Sequence, residues 1–276
     1  MPYEQLRLLD PLKLLLLSAS FIPVTIAALI VSFQLDKLTS WSAFQHAWFG
    51  RFWSWFGPNS VERGRPSVEP LLKHAQGVVL DIGPGNGQWL YLFAASNNPK
   101  VTKVYGVEPN PEHHAALRRA ITKAGLDGVY EILPVGAEKL ETCGIQKGSV
   151  DTITTVQVLC SVPGPERIIK ELYPYLKPGG KWLVFEHIRT SQRYELVSAW
   201  QSEQRHTSYK SHKLIDYLGI INLAWPHFFD GCSMTRPTDE WLLQAGQWES
   251  VDLKPGPDET QYDVLPHAIG TLVKQR

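Results

Sequence analysis

The chain has 276 residues and a mass of 31.1 kDa, which is enough for one core domain with an appendage. Its 27 basic and 27 acidic residues give a formal net charge of zero, so the composition offers no basic surface for nucleic acid. Cys143, Cys160 and Cys232 lack the CxxC or Cys/His spacing of zinc sites, so we expect neither a bound metal nor a disulfide framework.

The first element is an apolar stretch near the N-terminus. Leu14–Leu35 contains no charged side chain and is long enough to cross about 30 Å of hydrocarbon as a helix, which takes roughly 20 residues. Pro23 is tolerated in a membrane helix. A cleaved signal peptide would need a basic start and a shorter apolar core, and Glu4 and Asp10 fit that poorly. We expect residues 1–36 to form a membrane anchor, with a buried core helix as the alternative.

Residues 37–70 form a second segment, which is rich in aromatic side chains. Four of them recur at helical spacing: Trp41, Phe44, Trp48 and Phe52. Such a helix suits the headgroup layer of a membrane, because tryptophan has an apolar ring with one polar N–H, and it equally suits packing on a catalytic core. The sequence leaves both interpretations open. We expect Gly57–Ser60 to end the helix and a polar linker to run to about Pro70.

The rest of the chain is organised around a glycine-rich turn. Val78–Leu80 predicts a buried parallel strand, and Gly83, Gly85 and Gly87 follow it at alternate positions. Because glycine has no Cβ, this turn can bend sharply and approach a ligand closely. The next residues, Trp89–Ala95, predict a helix whose first N–H groups face the same ligand. Strand, turn and helix together predict a cradle for a nucleotide-like cofactor.

Two acidic residues make this prediction more specific. Asp81 stands directly before the first glycine, and Glu108 ends the next apolar run, where a carboxylate meets a ribose diol. This Asp-x-Gly-x-Gly-x-Gly pattern with a later strand-end acid resembles the S-adenosylmethionine-dependent methyltransferases of the Rossmann-like class. The resemblance implies that Asp81 lies near the methionine moiety of S-adenosylmethionine and that Glu108 holds the ribose hydroxyls. A nicotinamide-dependent oxidoreductase is the competing interpretation, although it typically carries Gly-x-Gly-x-x-Gly.

Helices and strands alternate along the rest of the domain, which we place at residues 71–276. The expected elements are a helix over 112–123, a strand over 130–134, a strand with its exit loop over 152–162, a helix over 165–176 disturbed by Pro174, and a strand over 181–187. This alternation predicts a Rossmann-like, doubly wound α/β fold with a mostly parallel seven-stranded sheet and ligands at the carboxyl ends of its strands. The resemblance implies that Ala137 and Glu138 face the adenine and that Gln157 lies beside the methyl donor.

A narrower resemblance rests on residues outside this common pattern. They are Leu159–Val162, Glu166–Ile168, Pro178–Gly180, Glu186–His187, Ala224–Trp225, Phe229–Cys232, Thr235–Arg236, Pro266–His267 and Gly270. Together with the order of anchor, aromatic segment and catalytic domain, they resemble the methyltransferase-like seven family of membrane-anchored alkyl thiol S-methyltransferases. That resemblance implies a single-pass protein of the endoplasmic reticulum or lipid droplets, with its catalytic domain facing the cytosol and a small lipophilic acceptor such as a thiol.

One departure from that family concerns the acceptor. Residues at about 193–223 form a longer stretch than the family pattern has, in a region that caps the acceptor pocket of this fold. Thiol specificity is therefore not inherited with the resemblance, and an O- or N-methyltransferase of a lipophilic metabolite is an alternative. A catalytically silent, membrane-tethered scaffold is a further alternative, although the glycines and the ribose acid that a silent protein would lose are present.

The chemistry requires few catalytic groups. Methyl transfer is an in-line displacement at an activated sulfonium, so the protein must align the acceptor, exclude water and remove one proton. His187 at the end of the fifth strand is the best-placed base, with a structural hydrogen bond to Glu186 as the alternative. The other candidates are Asp230, His227 and His267. We expect Cys160 and Cys232 to be small buried hydrophobes, because the reaction needs no covalent intermediate.

Overall fold

The computed structural model describes residues 9–189, 217–257, 259, 263 and 265–276. Most of the proposed cap at 193–223 therefore lies outside the described residues. The described helices are α1 Asp10–Ala19, α2 Phe21–Val31, α3 Asp36–Thr39, α4 Trp41–Leu72, α5 Pro111–Lys123, α6 Pro165–Leu172, α7 Tyr217–Phe228 and α8 Thr238–Leu243. Short 3₁₀ helices span Leu90–Phe93, Ala137–Cys143 and Tyr173–Tyr175.

The centre of the molecule is a seven-stranded sheet with the order β3-β2-β1-β4-β5-β7-β6. Its strands are β1 Gly77–Ile82, β2 Val101–Val107, β3 Tyr130–Leu133, β4 Val150–Val156, β5 Leu176–His187, β6 Trp248–Pro255 and β7 His267–Lys274. The first five strands pair in parallel, and β7 pairs antiparallel with both β5 and β6. The predicted fold class, a mostly parallel doubly wound sheet of seven strands, is confirmed.

The parallel pairing puts the predicted cofactor residues at one edge of the sheet. The chain order steps outward from β1 in both directions, first to β2 and β3 and then to β4 and β5. This reversal beside β1 creates the crevice at the carboxyl ends of the strands in which such folds bind ligands. Asp81 and Glu108 lie at these ends, on β1 and directly after β2.

The segment after the glycine turn differs from its prediction. Instead of an α-helix over Trp89–Ala95, the chain forms the 3₁₀ helix Leu90–Phe93, and Ala94 is already extended with ψ 142°. Leu90 and Phe93 are both buried, and a 3₁₀ turn stacks residues three apart on one face. Burial of this pair accounts for the shorter element, so the predicted helix N-terminus is wrong.

Helix α4 also differs from its prediction. The structure carries one helix from Trp41 to Leu72 through Pro58, Pro66 and Pro70, so neither the helix end at Gly57–Ser60 nor the polar linker is correct. Proline in a helix interior costs about 3 kcal/mol through its missing N–H and its clash with the preceding turn. Tertiary packing offsets that cost here, because the last turns bury Val68, Leu71 and Leu72 in the core beside β1.

The aromatic residues of α4 divide between the core and the surface. Trp48 and Phe52 are only 2% and 0% exposed, whereas Trp41 and Trp55 are 56% and 51% exposed. Each fully buried ring of this kind contributes about 1.5–3 kcal/mol of burial free energy. Packing on the catalytic core is therefore observed for one face of this helix. The other face presents tryptophan to the outside, and its place in the headgroup layer stays a prediction.

The predicted apolar helix near the N-terminus is present. Helices α1 and α2 follow each other with a single intervening residue, and Asp10–Val31 is long and apolar enough to cross a membrane. Most of its residues are not buried against the rest of the protein. Two hydrogen bonds at Ser18 tie it to the domain: Trp48 Nε1 donates one of 2.8 Å to the Ser18 backbone oxygen, and Ser18 Oγ donates one of 3.1 Å to the backbone oxygen of Phe228.

Candidate functional site

The glycine turn has the close backbone approach that its sequence predicts. Gly83, Gly85 and Gly87 have φ values of +64°, +56° and +79°, in the left-handed region that favours glycine. A Cβ at Gly83 would lie 2.3 Å from Val158 Cγ2, so no larger residue fits there without movement. Gly83 and Gly85 line a cavity of about 920 Å³ at the carboxyl ends of the strands, while Gly87 packs towards α5 and Ala120.

Asp81 is held inside the sheet. Its two carboxylate oxygens accept hydrogen bonds from Tyr130 Oη at 2.9 Å and Thr154 Oγ1 at 2.8 Å. Burial raises the pKa of Asp81 to about 6, and the two hydrogen bonds oppose that rise. The side chain lines the cavity beside the glycine turn and is fixed from three strands, β1, β3 and β4.

Glu108 connects the end of β2 to the glycine turn. Its Oε2 accepts a 2.9 Å hydrogen bond from the backbone N–H of Gly85, and its Oε1 accepts one of 2.9 Å from Asn110. Burial raises the pKa of Glu108 to about 7, opposed by these two hydrogen bonds. An ionised carboxylate has about four lone-pair sites, so roughly two remain for a ligand in the cavity. The residue therefore orders the turn and retains acceptor capacity.

The loop after β3 forms the next part of the wall. Gly136, Ala137 and Glu138 all line the cavity, and the 3₁₀ helix begins at Ala137. A Cβ at Gly136 would lie 2.2 Å from Glu138 Oε2, so the loop folds back closely on itself. The family resemblance implies that the adenine contacts lie on this side of the cavity.

Gln157 and two histidines lie on the opposite wall. Gln157 has a φ of +56° and places its amide nitrogen 3.4 Å from His187 Nε2 and 3.1 Å from His267 Nε2. His267 also lies 2.6 Å from a carboxylate oxygen of Glu259 through its Nδ1. Burial lowers the pKa of His267, with His187 acting in the same direction. Because the amide donates to both Nε2 atoms, each ring is placed with Nε2 as the acceptor.

Asp230, the remaining candidate acid, contacts His46 and Asn110. Asp230, with a φ of +47°, lies 2.9 Å from His46 Nδ1 and accepts a 3.3 Å hydrogen bond from Asn110 Nδ2. The hydrogen bond with Asp230 raises the pKa of His46, and burial opposes this rise. Asp230 thus joins α4, the loop after β2 and the chain after α7. These contacts fix its side chain, and a catalytic role for Asp230 stays a prediction.

Three buried groups lie near the exit of β4, and two of them, Cys160 and Cys232, line the cavity. Glu186 accepts backbone hydrogen bonds from Val158 and Leu159 at 3.0 Å each, and burial raises its pKa to about 8. The Cys160 thiol interacts with Cys232, an interaction that raises the pKa of Cys160 and lowers that of Cys232. The sequence names Glu186 only as the partner of His187, but its carboxylate holds the loop that carries Cys160.

Helix α4 supplies a wall that the sequence does not predict. Trp53, Phe56 and Ser60 line the cavity, and Trp53 Nε1 would lie 3.3 Å from a Cβ at Gly85. Ser60 Oγ donates a 3.2 Å hydrogen bond to Gln157 Oε1, which orients the amide. These contacts were not predicted, because a linker was expected after Gly57. Trp53, Phe56 and Ser60 have helical spacing, and this spacing is the signal that could have placed them on one face of a helix.

Most of the predicted site residues therefore lie in one cavity. The following line it: Asp81, Gly83, Gly85, Glu108, Ala137, Glu138, Gln157, His187, Asp230 and His267. His227 is placed elsewhere and packs its ring against Trp41 at 5.9 Å. The apolar part of the lining comes from α4 and α7, through residues such as Phe52 and Trp225.

Fold and cavity together define a class of protein. A doubly wound sheet with a left-handed glycine turn, and a buried strand-end acid facing the same cavity, is the arrangement of enzymes that bind a nucleoside cofactor. The acceptor capacity left on Glu108, and the backbone of Gly83 and Gly85 in the cavity wall, fit such a group.

Comparison with known proteins identifies the family. Residues 62–236 match the family described as "Methyltransferase domain", and the chain belongs to this family. It is 26% identical over 198 residues to thiol S-methyltransferase TMT1B of Rattus norvegicus, which covers 71% of this chain and 70% of that protein. It is 23% identical over 278 residues to thiol S-methyltransferase TMT1B of Homo sapiens, covering 97% and 99%. These similarities confirm the resemblance inferred from sequence.

Solved structures agree on the fold. An O-methyltransferase family protein from Burkholderia thailandensis has a TM-score of 0.55 at 15% identity and covers 93% of this chain and 71% of that chain. The protein is therefore an S-adenosylmethionine-dependent methyltransferase.

Proposed function

We propose that this enzyme transfers the methyl group of S-adenosylmethionine to a small lipophilic thiol. The observation that carries the proposal is one cavity that joins the cofactor edge of the sheet to an aromatic chamber. Phe52, Phe56, Trp225 and Phe229 line that chamber, and α1 reaches it through Leu14. Similarity to thiol S-methyltransferases over most of the chain supports the choice of acceptor.

The cofactor is assigned to the sheet side of the cavity. The two free acceptor sites of Glu108 are proposed to take the ribose hydroxyls, and Ala137 and Glu138 to meet the adenine. Asp81 and the glycine turn are proposed to border the methionine moiety. When bound, S-adenosylmethionine supplies a methyl group on an activated sulfonium.

The acceptor is assigned to the aromatic side, next to Gln157 and His187. Apolar walls favour a lipophilic molecule and keep water away from the reacting atoms. A thiol with a pKa near 8.5 is partly ionised at neutral pH, so it needs little help from a base. His187 lines this side and is the proposed acceptor of the thiol proton, while Asp230 positions α4 against the loop after β2. One S–C bond forms as the sulfonium C–S bond breaks, and S-adenosylhomocysteine leaves.

Membrane attachment is part of the proposal. The helix Asp10–Val31 is apolar and mostly unburied, and exposed Trp41 and Trp55 lie on the segment that follows it. We assign residues 1–36 as a single-pass anchor and 37–70 as the juxtamembrane segment, with the catalytic domain in the cytosol at the endoplasmic reticulum or lipid droplets. A lipophilic acceptor partitions into the same membrane.

The test is an acceptor panel. Membranes containing the protein are incubated with a labelled methyl donor and with alkyl thiols, phenols and amines of matched hydrophobicity. We expect label in the thioether products, and a loss of label in Glu108→Ala membranes but not in membranes carrying the exposed-acid control Glu131→Gln. Transfer only to phenols or amines would contradict the thiol assignment, and transfer to none would support a silent scaffold.

A further inference from the structure

Three side chains with soft or borderline metal-binding atoms meet in the wall of the cavity. Cys160 follows β4, His187 ends β5 and Cys232 follows α7, and their ligand atoms all lie within 4.8 Å of one another. The thiols are 2% and 6% exposed, and all three side chains line the cavity. Local spacing in the sequence cannot reveal this group, because its members come from three separate elements.

The histidine has an atom available for a ligand. His187 Nε2 faces the Gln157 amide, whereas Nδ1 is buried and has no hydrogen-bond partner among the residues that the structure describes. Native proteins rarely leave a buried side-chain nitrogen without a partner, so such an atom calls for an explanation. A metal ion bound on that side would provide one.

Three hydrogen bonds join the two backbone segments that carry the thiols. The backbone N–H of Ser233 donates a 2.9 Å hydrogen bond to the carbonyl of Cys160. Arg236 Nη1 donates to the carbonyls of Leu159 and Val162 at 2.9 and 2.8 Å. The loop that carries Cys160 is thereby fixed against the segment that carries Cys232, before any ligand binds.

We propose that Cys160, His187 and Cys232 bind one Zn²⁺ ion whose fourth position opens to the acceptor chamber. Two thiolates and one imidazole are a known catalytic set for zinc, in which three protein ligands leave one position for water or substrate. Zinc–sulfur bonds of about 2.3 Å and zinc–nitrogen bonds of about 2.0–2.1 Å require the side chains to close in slightly from their present separation. Two thiolates neutralise the ion, so Arg236 nearby faces an uncharged centre.

The zinc site would remove the proton of the acceptor thiol. This part of the inference rests on the proposed function. Zn²⁺ binding at Nδ1 moves the ring proton of His187 to Nε2, so Gln157 must turn its amide oxygen towards that ring. It releases the protons of Cys160 and Cys232 to solvent, and coordination of an acceptor thiol releases a third proton there. No atom changes oxidation state. A zinc-bound thiol is ionised outright at neutral pH, so the acceptor needs no general base. His187 then serves as a ligand and not as the proton acceptor, and the measurements below decide between these exclusive roles.

The test uses the full chain in detergent, reduced and freed of metal, titrated with Co²⁺ as a coloured substitute for Zn²⁺. We expect one ion per chain, with thiolate-to-cobalt charge-transfer bands and the absorption of a tetrahedral centre. Loss of second-shell partners alone weakens metal sites about 10–100-fold, so Cys160→Ser and Cys232→Ser should each weaken binding at least ~100-fold. Cys143→Ser, whose thiol lies outside this cavity, should bind as the wild type does.

A second measurement needs no variant. X-ray absorption of the zinc-loaded wild-type protein should show two sulfur neighbours and lighter nitrogen or oxygen neighbours. A shell without sulfur, binding far below one ion per chain, or a Cys160–Cys232 disulfide that persists under reductant would each overturn the site. Calorimetry with S-adenosylhomocysteine verifies that each variant is folded. If a variant does not fold, the X-ray absorption of the wild-type protein decides whether the zinc site exists.

The open position has its own test. Hexanethiol should shift the bands of the cobalt-loaded protein, whereas hexanol should not. Metal-free protein that methylates hexanethiol at the full rate would overturn the role of the ion and leave the proposed function standing, with His187 as base. If the protein binds one metal ion per chain but methylates phenols and no thiol, the metal site is supported and the proposed thiol function is overturned.

Discussion

Replacement of Glu108 tests the cofactor assignment most directly. Its carboxylate is buried, with 4% exposure, and already accepts backbone hydrogen bonds from Gly85 and Asn110. If the ribose hydroxyls take its remaining acceptor sites, Glu108→Ala removes two hydrogen bonds to a charged group, each contributing about 1.5–3 kcal/mol. Partial compensation by water reduces that loss. The dissociation constant for S-adenosylhomocysteine should still rise at least ~10-fold, since 1.4 kcal/mol corresponds to one decade.

The same substitution also affects the fold, and the structure gives the reason. Removing the carboxylate leaves the N–H groups of Gly85 and Asn110 without their acceptor, at about 1–3 kcal/mol for each group that remains unsatisfied. Glu108→Gln retains one oxygen, but its amide group must face one of the two N–H donors. We therefore expect an intermediate affinity for Gln and a lower melting temperature for both variants.

Calorimetry with S-adenosylhomocysteine and thermal denaturation separate the two effects. Glu131→Gln is the matched control, because Glu131 is the nearby β3 acid, is 52% exposed and pairs with Lys103. It should leave the dissociation constant within about twofold of wild type, as surface changes usually cost under about 0.5 kcal/mol. A lower melting temperature with an unchanged dissociation constant in Glu108→Ala would refute the ribose assignment, and the carboxylate would then serve only to order the glycine turn.

Three further outcomes are expected. The full-length protein should stay in the membrane pellet after alkaline carbonate washing, because each central Leu or Ile of Leu14–Leu35 favours insertion by about 0.3–0.6 kcal/mol; release into the supernatant would disprove the anchor. Burial raises the pKa of Glu108 to about 7, so its protonated form stabilises the ligand-free fold below the unfolded pKa and this contribution is lost as pH rises through about 7. The stability of wild type relative to Glu108→Gln should therefore fall between about pH 5 and pH 8 in thermal denaturation, and a pH-independent difference would contradict the shift. Trp53→Ala should weaken S-adenosylhomocysteine binding several-fold, whereas the half-exposed Trp55→Ala should not; equal calorimetric affinities would remove Trp53 from the cofactor wall.

The fold was predictable because its signals are local. The Val78–Leu80 run and the alternate glycines specify a strand and a turn through side-chain period and backbone freedom alone. Glu108 was predictable for the same reason, as an acid at the end of the next strand. Parallel pairing then brings these separate signals to one edge of the sheet, where the structure places them.

The errors arise where tertiary packing overrides local preference. Gly57–Ser60 and the polar residues after it predict a linker, yet α4 continues through three prolines and buries Val68 and Leu72. The 3₁₀ helix at Leu90–Phe93 similarly follows from which side chains reach the core. The meeting of Cys160 with Cys232 depends on how distant loops pack, so no spacing rule anticipates it.

Helix α4 connects the three parts of the proposed function. Near its start, Trp48 binds the backbone of the apolar N-terminal helix at Ser18; in its middle, Trp53 lies against Gly85 of the cofactor turn; further on, Ser60 orients Gln157. This one helix of 32 residues thus connects the apolar helix to the cavity. Because the same cavity is lined by Leu14 on α1, an acceptor dissolved in the membrane would reach the methyl donor along apolar side chains without crossing bulk water. Under the proposed function, the segment that follows the anchor is therefore also part of the cofactor wall.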